Sequence, residues 1–516
     1  MRIRALILLI VLVAAACTSS PSPSRAPSGE PAPPGPGESP GPSIELASPP
    51  PSAGSLQALI DRTPSGGTLD LPACTYREAV TIARPITLRG HGTVIAGSDI
   101  WAAWRRSGAT WVSGARVPDL PANGTCAPSS PRCAWPEQVF LDGRPLTQLA
   151  AGSTPQAGTF ALDAARHVVL GTDPAGHVVE VTTRRSWIAV RASDVTLSGL
   201  VLRHVADAPQ AGGLSVAGAS RFTLTDATLS DSHGALLDIA GGTGHRISRV
   251  TLLRGGEEGF HLVGVTDTEL SDSRISANNT EGYDAAWEAG GGKVVRSQGV
   301  TFAADEVDHN GGPGIWFDID DAAAVVTGCR VHDNAKEGIL FEIGAGALIS
   351  GNAVWNNGWS GYAWGYGAGI LVASAGSVEV AANTVAWNAR GIVVLSQSRG
   401  HGRFPWLARD DVVHDNVIAG TDDAADPNAR WALAFAQDWA GGMFDPASGN
   451  RGFANLFWYA GPEGPTRFGG WNAWNSLAFW NTTPGGGGTS RYLSAAEVRA
   501  RLAAAGIPAT APKHGR

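Results

Sequence analysis

A glycine opening a short run of alternating apolar residues returns at nearly even intervals through the second half of this chain. Gly213, Gly234, Gly259, Gly291, Gly314, Gly338, Gly369 and Gly391 mark the runs, at gaps of 21, 25, 32, 23, 24, 31 and 22 positions. Gly369-Ile370-Leu371-Val372 and Gly391-Ile392-Val393-Val394-Leu395 are typical. Strands this short cannot bury their own apolar face, so repeats of this length must stack on one another. The spacing predicts a β-solenoid, with the two long gaps extruded as loops. Helical heptads and ankyrin-type patterns are absent.

Asparagines recur before the markers, at Asn310, Asn334 and Asn388, with Asn352, Asn383 and Asn416 at another corner. Short amides tolerate left-handed turns and can bond from one coil to the next, which predicts structural ladders. His309, His332 and His414 sit in similar corner settings. They read as turn residues, with His309 also a candidate to reach a binding site.

The regions around the repeat differ in kind. Residues 1–16 read as a signal peptide: Arg2 and Arg4, an apolar run from Ala5 to Val13, then small residues. Ala14-Ala15-Ala16-Cys17 resembles a bacterial lipoprotein cleavage box, which implies lipidation of Cys17. Ala14 departs from the usual leucine of that box, and an ordinary signal peptide is the alternative. Residues 17–54 are nearly all Pro, Ser, Gly, Ala and Glu, too poor in apolar surface to fold, and read as a tether. The expected placement is therefore the outer face of the cytoplasmic membrane or the cell surface, held by an N-terminal lipid alone, or secretion. Residues 55–100 form an N-terminal cap and first coil, 101–186 a small β insertion, 187–420 the regular coils, and 421–516 a Trp/Gly-rich C-terminal cap ending in a helix from Ser494. Cys126 and Cys133 flank a short Pro/Ser loop, a local disulfide in an exported protein. Cys74 and Cys329 read as buried thiols, and no residues have zinc-ligand spacing.

Only 16% of residues are charged, the net charge is -8, and the chain holds 67 Gly and 18 Trp. That balance argues against a nucleic-acid partner, which calls for a basic face.

Two coils carry acids at one equivalent position. In Gly314-Ile315-Trp316-Phe317-Asp318-Ile319-Asp320 and Gly338-Ile339-Leu340-Phe341-Glu342-Ile343 a carboxylate stands four places after the glycine. Alternation points Trp316, Asp318, Asp320, Leu340 and Glu342 outward, and the preceding coil adds Lys293 and Val295. Val295, Asp318 and Glu342 then form one ladder, with strands about 4.8 Å apart and Lys293 under Trp316. Arg296 is expected inward. Two neighbouring carboxylates repel, so one holds its proton to higher pH. One protonated acid and one carboxylate are what glycoside cleavage uses, a close pair favouring retention and a wide one inversion. Loops before and after these coils carry Glu281, Tyr283, Trp287 and Glu288, then Trp359, Tyr362, Trp364 and Tyr366, suited to stacking on sugar rings. Lys293 would orient a hydroxyl, bias an acid, or bridge to Glu288 or Asp318.

The segments Thr68-Leu69-Asp70-Leu71-Pro72-Ala73-Cys74-Thr75-Tyr76 and Pro85-Ile86-Thr87-Leu88-Arg89-Gly90 resemble the cap and first coil of pectate-lyase-like right-handed parallel β-helix proteins. That resemblance implies an all-β fold, a single right-handed parallel β-helix with a small β insertion and a capping C-terminal segment. Trp287-Glu288-Ala289-Gly290-Gly291-Gly292-Lys293, together with the two acidic strands, resembles β-helix glycoside hydrolases of the xylosidase and fucosidase type. It implies an Asp nucleophile and a Glu acid/base about one coil apart, matched by Asp318, with Asp320 the other candidate, and by Glu342, 24 positions on. Lys293, Glu288, Trp316, Trp287, Trp364, Tyr366 and His309 would bind a polysaccharide or oligosaccharide. The expected enzyme is a monomer with no cofactor or metal. Two other readings stay open: a lyase or epimerase using Ca²⁺ and a Lys or Arg base (Lys293 or Arg296), and a non-catalytic carbohydrate-binding surface protein.

Overall fold

A computed structural model describes residues 10–11 and 55–512, apart from 121–122, 361–364, 421–430, 439–440, 462, 464–466, 471–472, 484 and 486–487. The signal-peptide and tether assignments, Cys17, Tyr362 and Trp364 therefore lie outside the described residues.

Each coil contributes a strand to each of three parallel faces. One face runs through Val80–Ile82, Ile188–Val190, Leu214–Ala217, Leu237–Ala240, Glu258–Val263, Gly290–Val295, Ile315–Asp318, Ile339–Glu342, Ala368–Ala373, Arg390–Ser396, Leu433–Gln437 and Phe468–Gly470. All of these pair in parallel, residue against residue. The other two faces are rows such as Thr301–Ala303 over Ala322–Thr327 and Glu306–Asp308 over Arg330–His332. Inward side chains stack coil on coil: Phe260 on Phe302 at 5.1 Å, Phe302 on Phe317 at 5.8 Å, and Phe317 on Phe341 at 5.7 Å between ring centroids. These rings and the aliphatic residues around them form one continuous core along the cylinder.

The glycine markers have a steric cause. A Cβ on Gly314 would stand 2.6 Å from the carbonyl oxygen of Gly338, and one on Gly338 would stand 2.7 Å from that of Gly369. One marker is misplaced by the sequence reading. Leu214 pairs with Leu237 and Leu237 with Phe260, so Leu236, not Gly234, holds the marker position in that coil.

Both asparagine ladders form. Asn278, Asn310, Asn334, Asn357 and Asn388 each pass an amide N–H to the next at 2.8–2.9 Å. Asn352, Asn383, Asn416 and Asn455 do the same at 2.9–3.0 Å.

Three features differ from expectation. The coils continue past Gly420 through Leu433–Gln437, Arg451–Phe453 and Leu456–Tyr459, where bulky aromatics replace the glycine-opened pattern. The final helix, Ala495–Ala504, has the Ser494/Glu497 capping box, but Val498 and Leu502 pack against Trp355, Trp387 and Val417 on the flank of the cylinder and not over its open end. Cys126 and Cys133 are disulfide-bonded and Cys329 is a buried free thiol. Cys74 is buried but is also disulfide-bonded, which corrects the thiol expected there.

The insertion forms two small sheets, one antiparallel and one antiparallel except where Thr147–Gln148 runs parallel to Thr159–Leu162. Its disulfide-closed segment grips the loop of residues 278–288: Cys126 bridges to Tyr283, and Arg132 pairs with Glu281 at 2.9 Å. It braces that loop and does not line the cavity described below.

Candidate functional site

The acidic strands set the geometry. Lys293 pairs with Trp316 and Val295 with Asp318. Ile315 to Phe317 pair with Ile339 to Phe341, and continuing that register sets Asp318 beside Glu342. Lys293, Asp318, Glu288 and Glu342 are each at most 7% exposed. Charges so thoroughly removed from water must be paired.

They are. The Lys293 ammonium lies 2.8 Å from Asp318 Oδ2 and 3.2 Å from Glu288 Oε2, donates to the Trp287 carbonyl, and sits 3.9 Å from the centre of the Trp316 ring. Lys293 thus bridges Asp318 and Glu288 at once. Asp318 Oδ1, by contrast, is buried without a hydrogen-bond partner. Glu342 accepts from Trp316 Nε1 at 3.0 Å through Oε1 and pairs with Arg399 at 3.1 Å through Oε2. Burial, and then the charge of Asp318, push the Glu342 carboxyl up to about 7, with Arg399 and the indole N–H opposing.

A cavity of about 490 Å³ opens over Glu342, walled by Trp316, Leu340, Tyr366, Gln397 and Arg399. Lys336 and Glu337 also line it. Tyr366 donates its hydroxyl to Gln397 at 2.9 Å. An aromatic floor with a few convergent polar groups is the ordinary form of a small-molecule site.

Several expected site residues fall elsewhere. Asp320 leaves the ladder because the strand ends at Asp318, and Ile319 and Asp320 take left-handed φ of 63° and 61°. Its carboxylate accepts from Phe404 N at 3.4 Å and Trp406 Nε1 at 3.1 Å, anchoring the segment that follows Arg399. His309 is exposed beyond Glu306–Asp308 on another face, paired with Asp308 at 2.6 Å. Trp287 presents its carbonyl to Lys293, while its ring packs near Tyr283, centroids 6.3 Å apart. Trp359 donates to the carbonyl of Trp387 at 3.0 Å. Arg296 is exposed, not inward, because it too has a positive φ, 52°, just past its strand.

Arg399 and Gln397 escaped the sequence reading. They lie in the long connection after Arg390–Ser396, whose next partner strand begins at Leu433. No glycine marks that coil, because Ala432 stands where the marker would be. The signal was the length of the interval itself.

Comparisons place the architecture. A family model described as a right handed beta helix region matches residues 212–400. No curated protein matches the sequence. Among solved structures, the chain is similar to that reported as "The complex structure of XylC with xylose", at 14% identity and a TM-score of 0.59, covering 80% of this chain and 82% of that one. An Azotobacter vinelandii mannuronan C-5 epimerase module, AlgE6, aligns at 13% identity and a TM-score of 0.47 over 80% of this chain and 93% of that one. PfbA, a surface adhesin of Streptococcus pneumoniae, aligns at 11% identity and a TM-score of 0.40 over 78% and 86%. The stacked parallel faces are those of an all-β, right-handed parallel β-helix.

Proposed function

We propose that the chain is a glycoside hydrolase acting on a polysaccharide or oligosaccharide, with Glu342 as general acid and Asp318 as nucleophile in a retaining mechanism. One observation carries this reading: two neighbouring buried carboxyl groups have different partners. Burial and the charge of Asp318 push the Glu342 carboxyl up to about 7, while Asp318 is tied to Lys293 through one oxygen and has the other unpartnered. The Glu342 proton would pass to the leaving glycosidic oxygen as Asp318 Oδ1 attacks the anomeric carbon, and water would then release the sugar with Glu342 as base. Trp316 and Tyr366 would hold the sugar, and the fold shared with a structure that binds xylose supports a glycan substrate. A lyase or epimerase route needs a basic side chain free to take a proton. Lys293 is engaged by two carboxylates and Arg296 is turned to solvent, which favours hydrolysis.

The test is to give the chain xylans, fucosylated glycans, pectin and alginate. Hydrolysis yields new reducing ends without unsaturated-uronate absorbance, and NMR of the first-formed anomer shows retention. Unsaturated products would overturn the reading, as would saturable binding without cleavage. We also propose export and lipid anchoring at Cys17. A mature N-terminal peptide carrying a diacylglyceryl thioether supports it; an unmodified or disulfide-linked Cys17 overturns it.

A further inference from the structure

Next to the site, one coil earlier, three side chains converge, of which only Glu288 reaches the proposed chemistry, through Lys293. Glu258 and His261 come from the strand Glu258–Val263, and Glu288 from the loop that leads into the next one. One ligand atom from each lies within 4.8 Å of the others. Glu258 is fully buried and neither of its oxygens has a hydrogen-bond partner. Glu288 uses Oε2 for Lys293 and Gln210, leaving Oε1 without a hydrogen bond, 3.5 Å from His261 Nε2. The other ring nitrogen of His261 faces Asp238 Oδ1 at 3.0 Å. A carboxylate on Nδ1 fixes the tautomer that leaves a lone pair on Nε2, the arrangement that metal-binding histidines adopt.

One oxygen from each of two buried carboxyl groups and one imidazole nitrogen thus converge, and the glutamate oxygens Glu258 Oε1, Glu258 Oε2 and Glu288 Oε1 have no hydrogen-bond donor. We propose that Glu258, His261 and Glu288 bind a divalent metal ion of the zinc or manganese type. One imidazole with two carboxylates suits such ions, whereas calcium takes six to eight oxygens and magnesium keeps much of its water. The ion would sit behind the Lys293 pair, since Glu288 would give Oε1 to the metal and keep Oε2 on Lys293, which in turn holds Asp318. The ligands are legible only in three dimensions: Glu258 and His261 are three positions apart, and Glu288 lies across a 32-residue coil.

The experiment measures metal directly. Full chain stripped with a chelator is titrated with Zn²⁺, Mn²⁺, Ca²⁺ and Mg²⁺ by calorimetry, with the melting temperature followed in parallel. The expected result is one equivalent of Zn²⁺ or Mn²⁺ bound with a Kd of about 1 μM or tighter and a higher melting temperature. Glu258→Gln and His261→Ala should each weaken binding at least a hundredfold, and Asp238→Asn about tenfold or more. Glu258→Gln nearly preserves shape, so an unchanged circular dichroism spectrum separates lost binding from lost folding. Absence of stoichiometric Zn²⁺ or Mn²⁺ binding would overturn the proposal, as would preference for Ca²⁺ or affinity unaltered in folded Glu258→Gln. Because the readout is metal and not turnover, a failed metal site and a failed glycosidase assignment remain distinguishable.

Discussion

At the residue scale the proposed chemistry reduces to two carboxylates and what touches them. Glu342→Gln and Asp318→Asn should each lower turnover by about 10²-fold or more while leaving the circular dichroism spectrum intact, the range expected for an acid or nucleophile. Full activity in either would remove it from the mechanism. Because the acid must carry its proton, wild-type activity should fall as pH rises through about 7. The same shift acts on stability. A carboxyl whose folded value lies above its ordinary one stabilises the fold most fully at low pH, and that contribution is lost as pH rises from about 4.5 to about 7. Melting temperatures across this window should show the component in the wild type and not in Glu342→Gln. Lys293→Met should behave differently. It strands Asp318 and Glu288 as unpaired buried charges, for a cost of about 3–5 kcal/mol read from the denaturation midpoint.

At the scale of elements, what was legible followed from strict local rules and what was not followed from where strands stop. The ladder of Val295, Asp318 and Glu342 was countable because side chains alternate along a strand and a glycine opens each coil. Asp320 was misassigned by the same rule, since alternation ends where Ile319 turns left-handed, and no residue type at 319 announces it. The asparagine ladders were readable because the amides recur in sequence at the period of the coils, whereas Arg399 depends on a loop that no repeat predicts. Asp320 ties that loop down through Phe404 N and Trp406 Nε1, and Gly402 packs so closely on its carboxylate that a Cβ would collide. Asp320→Ala should therefore free residues 397–407, seen as faster amide exchange there, and cut turnover about tenfold by loosening Arg399 from Glu342, with the melting temperature little changed. Unaltered exchange in that segment would show that the loop holds itself.

At the scale of the whole molecule, a solenoid transmits little along its axis, because each coil rests mainly on its two neighbours. The insertion is one exception, joining residues 123–135 to the loop 278–288 far along the chain. Its disulfide closes a span of 7 residues between Cys126 and Cys133. A ring that small stabilises its segment by about 2.5 kcal/mol on the chain-entropy estimate. The segment in turn holds Tyr283 through the bridge at Cys126, Glu281 through Arg132, and His233 through the Cys133 carbonyl, 3.1 Å from its Nε2. Glu288 lies in the same loop, with Lys293 beyond it. Replacing both Cys126 and Cys133 by Ser should thus leave the main thermal transition of the coils in place, since the core from Phe260 to Phe341 does not involve them. Amide exchange in 278–288 should rise, and turnover should drop several-fold as Glu288 and Lys293 lose their fixed spacing. If the main transition collapses instead, the insertion is part of the folding core; if neither exchange nor turnover moves, the loop is held by the coils alone.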